Sequence, residues 1–184
     1  TIELTPVDLG KFVDICGDYF KSACSSKSIT FSVSPPNERA APFMMGGVDA
    51  LEKILFNYLS NALKYTPVGG RIELSLAINE KRAKLSVRDS GGGIAPENQH
   101  KLFEVFSQVE SSTTREYEGT GLGLALVKSL AEQMAGSVGV ESELGAGSIF
   151  WAEFPLCEPP QTKEQQHFEV KDWLLSDVQG KTGD

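Results

Sequence analysis

Between Asp49 and Tyr65, the apolar residues Leu51, Ile54, Leu55, Tyr58, Leu59 and Ala62 recur at helical spacing and predict an amphipathic helix. Thr66-Pro67-Val68-Gly69-Gly70 ends it and turns the chain. The period then changes from helical to two. Ile72, Leu74, Leu76 and Ile78 alternate with polar residues, and so do Ala83, Leu85 and Val87, which predicts two half-buried strands. The short link Asn79-Glu80-Lys81-Arg82 makes them an antiparallel hairpin. Ile29, Phe31 and Val33 alternate likewise over 28–34, a strand ended by Pro35-Pro36-Asn37. Ahead of it, Thr5-Pro6-Val7-Asp8 carries a helix-start signature: a hydroxyl cap, proline at the first helical position and a carboxylate three residues after the cap. That helix is expected to run to about Cys24.

Glycine punctuates the second half. A glycine-rich turn from Asp89 to Ile94 leads into a short helical piece near Pro96 to Phe103. The stretch from Ser107 to Glu118 is polar and aperiodic, and structureless loops of this length inside compact domains are usually functional lids. Gly119-Thr-Gly-Leu-Gly-Leu124 then opens a helix to about Ala135, with Gly136 as the expected stop, and two strands follow over 137–142 and 148–154. Helix, strand, helix, two strands, lid, helix and two strands offer too few βα crossovers for a doubly wound sheet. The fold class expected is therefore an α/β (α+β) two-layer sandwich, with helices on one face of a mixed, mainly antiparallel sheet. Residues 27–156 form the expected domain, 1–26 lead into it, and 157–184, with Pro159-Pro160 and a polar run, read as a linker or partly ordered tail.

The chain has 184 residues, enough for one domain of roughly 150 residues that needs no disulfide or metal staple. Its 25 carboxylates against 17 basic residues give a net charge of −8. That balance excludes nucleic-acid coating and polybasic membrane binding, so a polyanionic ligand must be held locally. Cys16, Cys24 and Cys157 form no C-x-x-C pair and suit a reducing compartment as small core residues. His100 and His167 are too few for a Cys/His zinc site. No apolar run reaches the roughly 18 residues of a membrane span, and no signal peptide is visible. The first residue is Thr1 rather than Met, as expected of an excised or processed piece.

Four features break their local rule. Period two places Asp89 on the core-facing side with Ala83, Leu85 and Val87, where an unpaired carboxylate costs several kcal/mol; the plainer alternative is a turn cap. The Gly91-Gly92-Gly93 run beside it clears side chains, as a closely approaching flat ligand requires. Asn57, Asn61 and Lys64 form one line along the edge of the apolar helix face; they are either a solvated flank or an amide ligand for a hard cation beside an ammonium for phosphate. Gly119-x-Gly121-x-Gly123 at a helix start offers backbone N–H groups to an anion. It is not a dinucleotide fingerprint, since Leu124 stands at the third glycine and a lid precedes it. The lid is preceded by Phe103 and Phe106 and carries Arg115, a surface cation or a partner for transferring phosphoryl oxygens.

Together these segments resemble the ATP-binding catalytic domain of sensor histidine kinases. Asn57-Tyr-Leu-Ser-Asn61-Ala-Leu-Lys64-Tyr65-Thr66-Pro67 resembles the N box, Asp89-Ser-Gly91-Gly-Gly93-Ile94 the first glycine box, and Phe103-Glu-Val-Phe106 the F box. Gly119-Thr-Gly121-Leu-Gly123-Leu124 is similar to the second glycine box, and Gly145-Ala-Gly147-Ser148-Ile-Phe150 to the closing element. All five stand in family order over about 45–155. The resemblance implies ATP and Mg²⁺ as cofactors and a superfamily fold of helices on a mixed sheet. It implies that Asp89 bonds the adenine amino group, Asn61 ligates Mg²⁺, Asn57 and Lys64 lie near the phosphates, and Tyr65 lies beside adenine or ribose. Gly121, Leu122 and Gly123 would donate backbone N–H groups to phosphate. Gly91, Gly93, Ile94, Phe106, Thr120, Leu124 and Ser148 complete the implied nucleotide contacts, and Arg115 would reach the γ-phosphate from the lid. Glu118 departs from the glycine many members carry before the second glycine box, a change that bears on lid mechanics.

The same superfamily holds conformational ATPases, whose resemblance to this chain stops at one position: they place glutamate one helical turn before the metal-binding Asn. Here it is Asn57, and a neutral amide cannot take a proton from water. The expected activity is thus protein-histidine kinase rather than ATPase, with a nucleotide-gated scaffold module as the third class. Neither His100 nor His167 is placed as phosphoacceptor, so that histidine is expected on a dimerisation domain preceding Thr1, and the chain alone should not autophosphorylate. The further partners implied are a response regulator receiver domain and a second copy of the parent protein. The domain is expected in the cytoplasm, whether or not the parent is membrane-anchored.

Overall fold

The computed structural model describes residues 1–34, 42–104 and 121–161. In chain order the elements are β1 (Thr5–Asp8), α1 (Leu9–Ser26), β2 (Thr30–Ser34), β3 (Phe43–Gly46), α2 (Val48–Tyr65), β4 (Arg71–Asn79), β5 (Arg82–Asp89), α3 (Pro96–Gln99), α4 (Gly121–Gln133), β6 (Ser137–Glu143) and β7 (Gly147–Pro155). Five strands form one sheet in the order β2-β4-β5-β7-β6. Only β2 and β4 run parallel; the other neighbours are antiparallel, as the mixed sandwich requires. β1 and β3 make a separate antiparallel ribbon.

Alternation decides which side of the sheet is covered. Ile72, Leu74, Leu76 and Ile78 of β4, with Ala83, Leu85 and Val87 of β5 and Phe150, Ala152 and Phe154 of β7, are buried on one face. Against it lie α1 over β2 and β4, α2 over β5, and α4 over β6 and β7. Each helix supplies a stripe at helical spacing, for example Leu124, Val127 and Ala131 of α4, continued by Met134 just past its end. The outer face is polar: Lys84 Nζ sits 4.4 Å from the Trp151 ring centroid, and Arg82 pairs with Glu153 at 2.6 Å. Cys16 and Cys24 are free, buried thiols. Burial pushes both upward in pKa, Cys24 to about 11, so they stay protonated as core residues.

The first helix starts three residues later than the sequence signature suggests. Thr5–Asp8 is extended and pairs with β3, and the cap is Asp8, whose Oδ1 accepts from the Lys11 N–H at 3.1 Å. Pro6 is tolerated because both strands of a two-strand ribbon are edges. At the other end of the core, α4 stops near the expected Gly136, but the left-handed residue is Ala135 (φ 61). Gly136 instead lies so close to the Phe154 ring and the Glu153 carbonyl that a side chain would collide with them.

Candidate functional site

The β5 alternation that buries Val87 carries through to Asp89, which is 6% exposed at the strand's end. Its Oδ1 accepts from the Gly91 N–H at 2.9 Å. Burial raises the carboxyl pKa above its ordinary value, and the backbone N–H groups of Gly91 and Ser148 oppose that rise. Ser148 is the β7 residue directly opposite Asp89 and is itself 2% exposed. A buried carboxylate held by few donors keeps acceptor capacity for a ligand.

The turn after Asp89 is locked to the β6–β7 hairpin. Ser142 Oγ accepts from the Ile94 N–H at 2.8 Å and lies 2.8 Å from Ser148 Oγ and 2.9 Å from the Gly147 carbonyl oxygen. Gln99 Nε2 donates to the carbonyls of Ile94 and Ser142, each at 2.8 Å, and the Gly145 N–H donates to Gly92 O at 2.8 Å. Gly93 (φ 75) and Gly147 (φ 89) adopt left-handed backbone, and a Cβ on either would strike the backbone of Glu143 or Asp89 respectively. Ser142 and Gln99 belong to the site's frame yet carry no local sequence signal, because their partners lie across a separate hairpin.

Along α2, Asn57, Asn61, Lys64 and Tyr65 follow the flank that faces these glycines. Asn61 is 3% exposed; its Nδ2 donates to Asn57 Oδ1 at 3.4 Å, while its Oδ1 has no partner among the described residues. A Cβ on Gly123 would collide with Asn57 Nδ2, so the opening turn of α4 rests directly on this flank. At the other end, a Cβ on Gly91 would lie 2.9 Å from the Tyr65 carbonyl and 3.0 Å from Asp89 Oδ1. Lys64 is exposed, with Nζ 5.2 Å from the Tyr65 ring centroid. From Asn57 to Tyr65 the helix rises about 12 Å at ~1.5 Å per residue. The N-box flank, the first glycine turn and the α4 opening thus converge.

Ile94 and Leu124 are both buried in the core, and Phe103 packs on Phe150 at a ring separation of 6.3 Å. Gly121 and Leu122 begin α4. Phe106, Arg115 and Thr120, with the rest of the expected lid, lie outside the described residues, as does the tail beyond Gln161. Among the described residues there is no cluster of three His, Cys, Asp or Glu able to hold a metal. Nor is any helix there long and apolar enough to cross a membrane.

Residues 46–158 match the family described as histidine kinase-, DNA gyrase B- and HSP90-like ATPases. The chain belongs to this ATPase family. Within it the relatives are sensor kinases. AruS, a sensor histidine kinase of Pseudomonas aeruginosa, is 44% identical over 116 residues, which cover 61% of this chain and 12% of AruS. Hybrid signal transduction histidine kinase D of Dictyostelium discoideum is 33% identical over 181 residues, covering 94% of this chain and 11% of its own length. The crystal structure of full-length ShkA in complex with AMPPNP matches with a TM-score of 0.73 and 31% identity, covering 86% of this chain and 32% of ShkA. The chain spans about a quarter or less of the curated relatives' lengths, for example 26% and 11%. The sandwich is that of histidine kinase ATP-binding domains, and family membership supports ATP binding.

Proposed function

We propose that this chain binds Mg²⁺·ATP and supplies the γ-phosphate to a histidine on a separate dimerisation and phosphoacceptor domain in two-component signalling. The observation that carries the reading is one helix flank with a recognition group at each end. Asp89, buried and donor-poor, lies across Gly91 from the end at Tyr65; further back Asn61 buries an Oδ1 with no partner among the described residues, and its hydrogen-bond partner Asn57 abuts Gly123. A span of about 12 Å suits a nucleotide laid from base to phosphates along α2.

Asp89 accepts the adenine amino group, and the glycine turn lets the flat base approach. Tyr65 flanks base or ribose. Asn57, Lys64 and the N–H groups of 121–123 hold the phosphates at the positive end of the α4 dipole, with Thr120 and Leu124 flanking them. Gly91, Gly93, Ile94, Ser148 and Phe106 line the base end, and Arg115 reaches the γ-phosphate from the lid.

The residues fit a divalent cation. The buried Oδ1 of Asn61 is a hard oxygen acceptor with no other use among the described residues, and it can complete a Mg²⁺ shell made mainly of phosphate oxygens and water. When bound, Mg²⁺ neutralises and orients phosphate oxygens, which an acidic chain with few local cations needs.

Kinase is favoured over water-attacking ATPase by Asn57. Its amide is bonded to Asn61 Nδ2, and no carboxylate stands there to activate water. We place 27–156 as the nucleotide domain, 1–26 as its lead-in and 157–184 as linker or tail. The domain works in the cytoplasm of a homodimeric parent and answers to a receiver domain. The test is to mix the chain with its cognate dimerisation domain and γ-labelled ATP. Acid-labile, histidine-bound label on the acceptor is expected. Steady ATP turnover by the chain alone, with no transfer, would place it with the conformational ATPases.

A further inference from the structure

Lys27 follows α1 and belongs to no motif, yet its ammonium reaches the end of the helix that carries the proposed site. Nζ donates to the carbonyl of Leu63 at 2.6 Å and to that of Lys64 at 3.3 Å. These are last-turn carbonyls of α2, which a helix leaves without internal donors. Lys27 supplies those donors together with positive charge at the negative end of the helix dipole. Two backbone bonds reinforce the junction: Gly69 N–H to Ser28 O at 2.9 Å, and Thr30 N–H to Gly70 O at 3.0 Å. Ser28 sits at φ 59, a left-handed conformation that turns the elbow between α1 and β2.

The same helical turn abuts Gly91 through the Tyr65 carbonyl, and Gly91 in turn donates its N–H to Asp89 Oδ1 at 2.9 Å. We propose that Lys27 is a positioning residue for the nucleotide. By holding the last turn of α2 from behind, it fixes Lys64 and Tyr65 against the Asp89–Gly91 wall. This rests on the Mg²⁺·ATP reading above. Without the ammonium, the two carbonyls lose their donor, the turn from Leu63 to Thr66 loosens, and the gap that accepts the base widens.

The test compares wild type, Lys27→Met, Lys27→Arg and Ile78→Val by calorimetry with Mg²⁺·ATP and by amide exchange. Ile78 lies at the far end of β4, so its truncation lowers stability without touching the clamp. Lys27→Met should weaken affinity about two- to fivefold, the scale of a charge at a helix terminus, and speed exchange at the Tyr65 and Thr66 amides. Lys27→Arg should restore both, and Ile78→Val should leave affinity unchanged. Equal affinity in Lys27→Met and wild type, or an equal loss in Lys27→Met and Ile78→Val, overturns the inference while leaving the nucleotide reading intact. A wild type that binds no nucleotide overturns both.

Discussion

At one end of the α2 flank, Asp89, Gly91, Ile94, Gln99, Ser142 and Ser148 are joined by short hydrogen bonds that link the glycine turn to four elements, β5, α3, β6 and β7. One turn back along the same helix, Asn61 buries an oxygen with no hydrogen-bond partner among the described residues, and its Nδ2 makes a long 3.4 Å bond to Asn57. The first end is held rigid by the protein's own bonds; the second leaves an amide oxygen without a partner among the described residues. A nucleotide presents that same asymmetry. Its base is rigid and is read by fixed hydrogen bonds, whereas its phosphates arrive with a cation and water and need a site that stays open to them.

The sharpest way to break this comparison is Asp89→Asn. Losing a charged acceptor for the base should weaken ATP about 10- to 100-fold, the effect of a ~1.5–3 kcal/mol hydrogen bond to a charged group, with GTP much less affected. An equal loss for both nucleotides would remove the adenine role. The same substitution should leave the ligand-free melting temperature unchanged or raised, because burial lifts the Asp89 pKa in the folded state. The stabilising share of a group shifted upward is complete below about pH 4 and is lost as pH rises through its folded value. The Asn variant should therefore lack that downward slope of stability with pH.

Ser142→Ala comes next. It strips the Ile94 N–H of its acceptor and breaks the bond to Ser148, so it should cost about 1–3 kcal/mol of stability and loosen the glycine turn, measured by denaturant unfolding. A neutral result would mean the turn holds itself. Thr66→Val should do least. Its hydroxyl is fully buried at the end of α2 without a partner among the described residues, so an equal-sized methyl removes an unpaired polar group and should leave stability to denaturant unchanged or slightly raised.

Much of the site is legible before any coordinates because its residues break local patterns. Asp89 shows itself by falling on the apolar phase of β5, and the Asn57–Asn61 step shows itself as an amide line on an otherwise apolar helix edge. The α2 helix and the β4–β5 hairpin follow from periods that tertiary contacts reinforce. What the sequence hides is non-local. Thr5–Asp8 imitates a helix cap, but pairing with Phe43–Gly46 decides its conformation, and four-residue strands carry too short an alternation to declare themselves. The parallel β2–β4 pairing, the Ser142–Ile94 bond and the Lys27 clamp each join segments through space, with no pattern in either segment to mark the contact.

Calorimetry of ATP binding to wild type and Asn61→Ala, each with and without Mg²⁺, tests the open end directly. The expected result is that Mg²⁺ strengthens binding about tenfold or more in wild type and not at all in Asn61→Ala, with metal-free ATP binding alike in both. Mg²⁺ strengthening binding equally in the two proteins would contradict the assignment of the buried Asn61 oxygen to the cation.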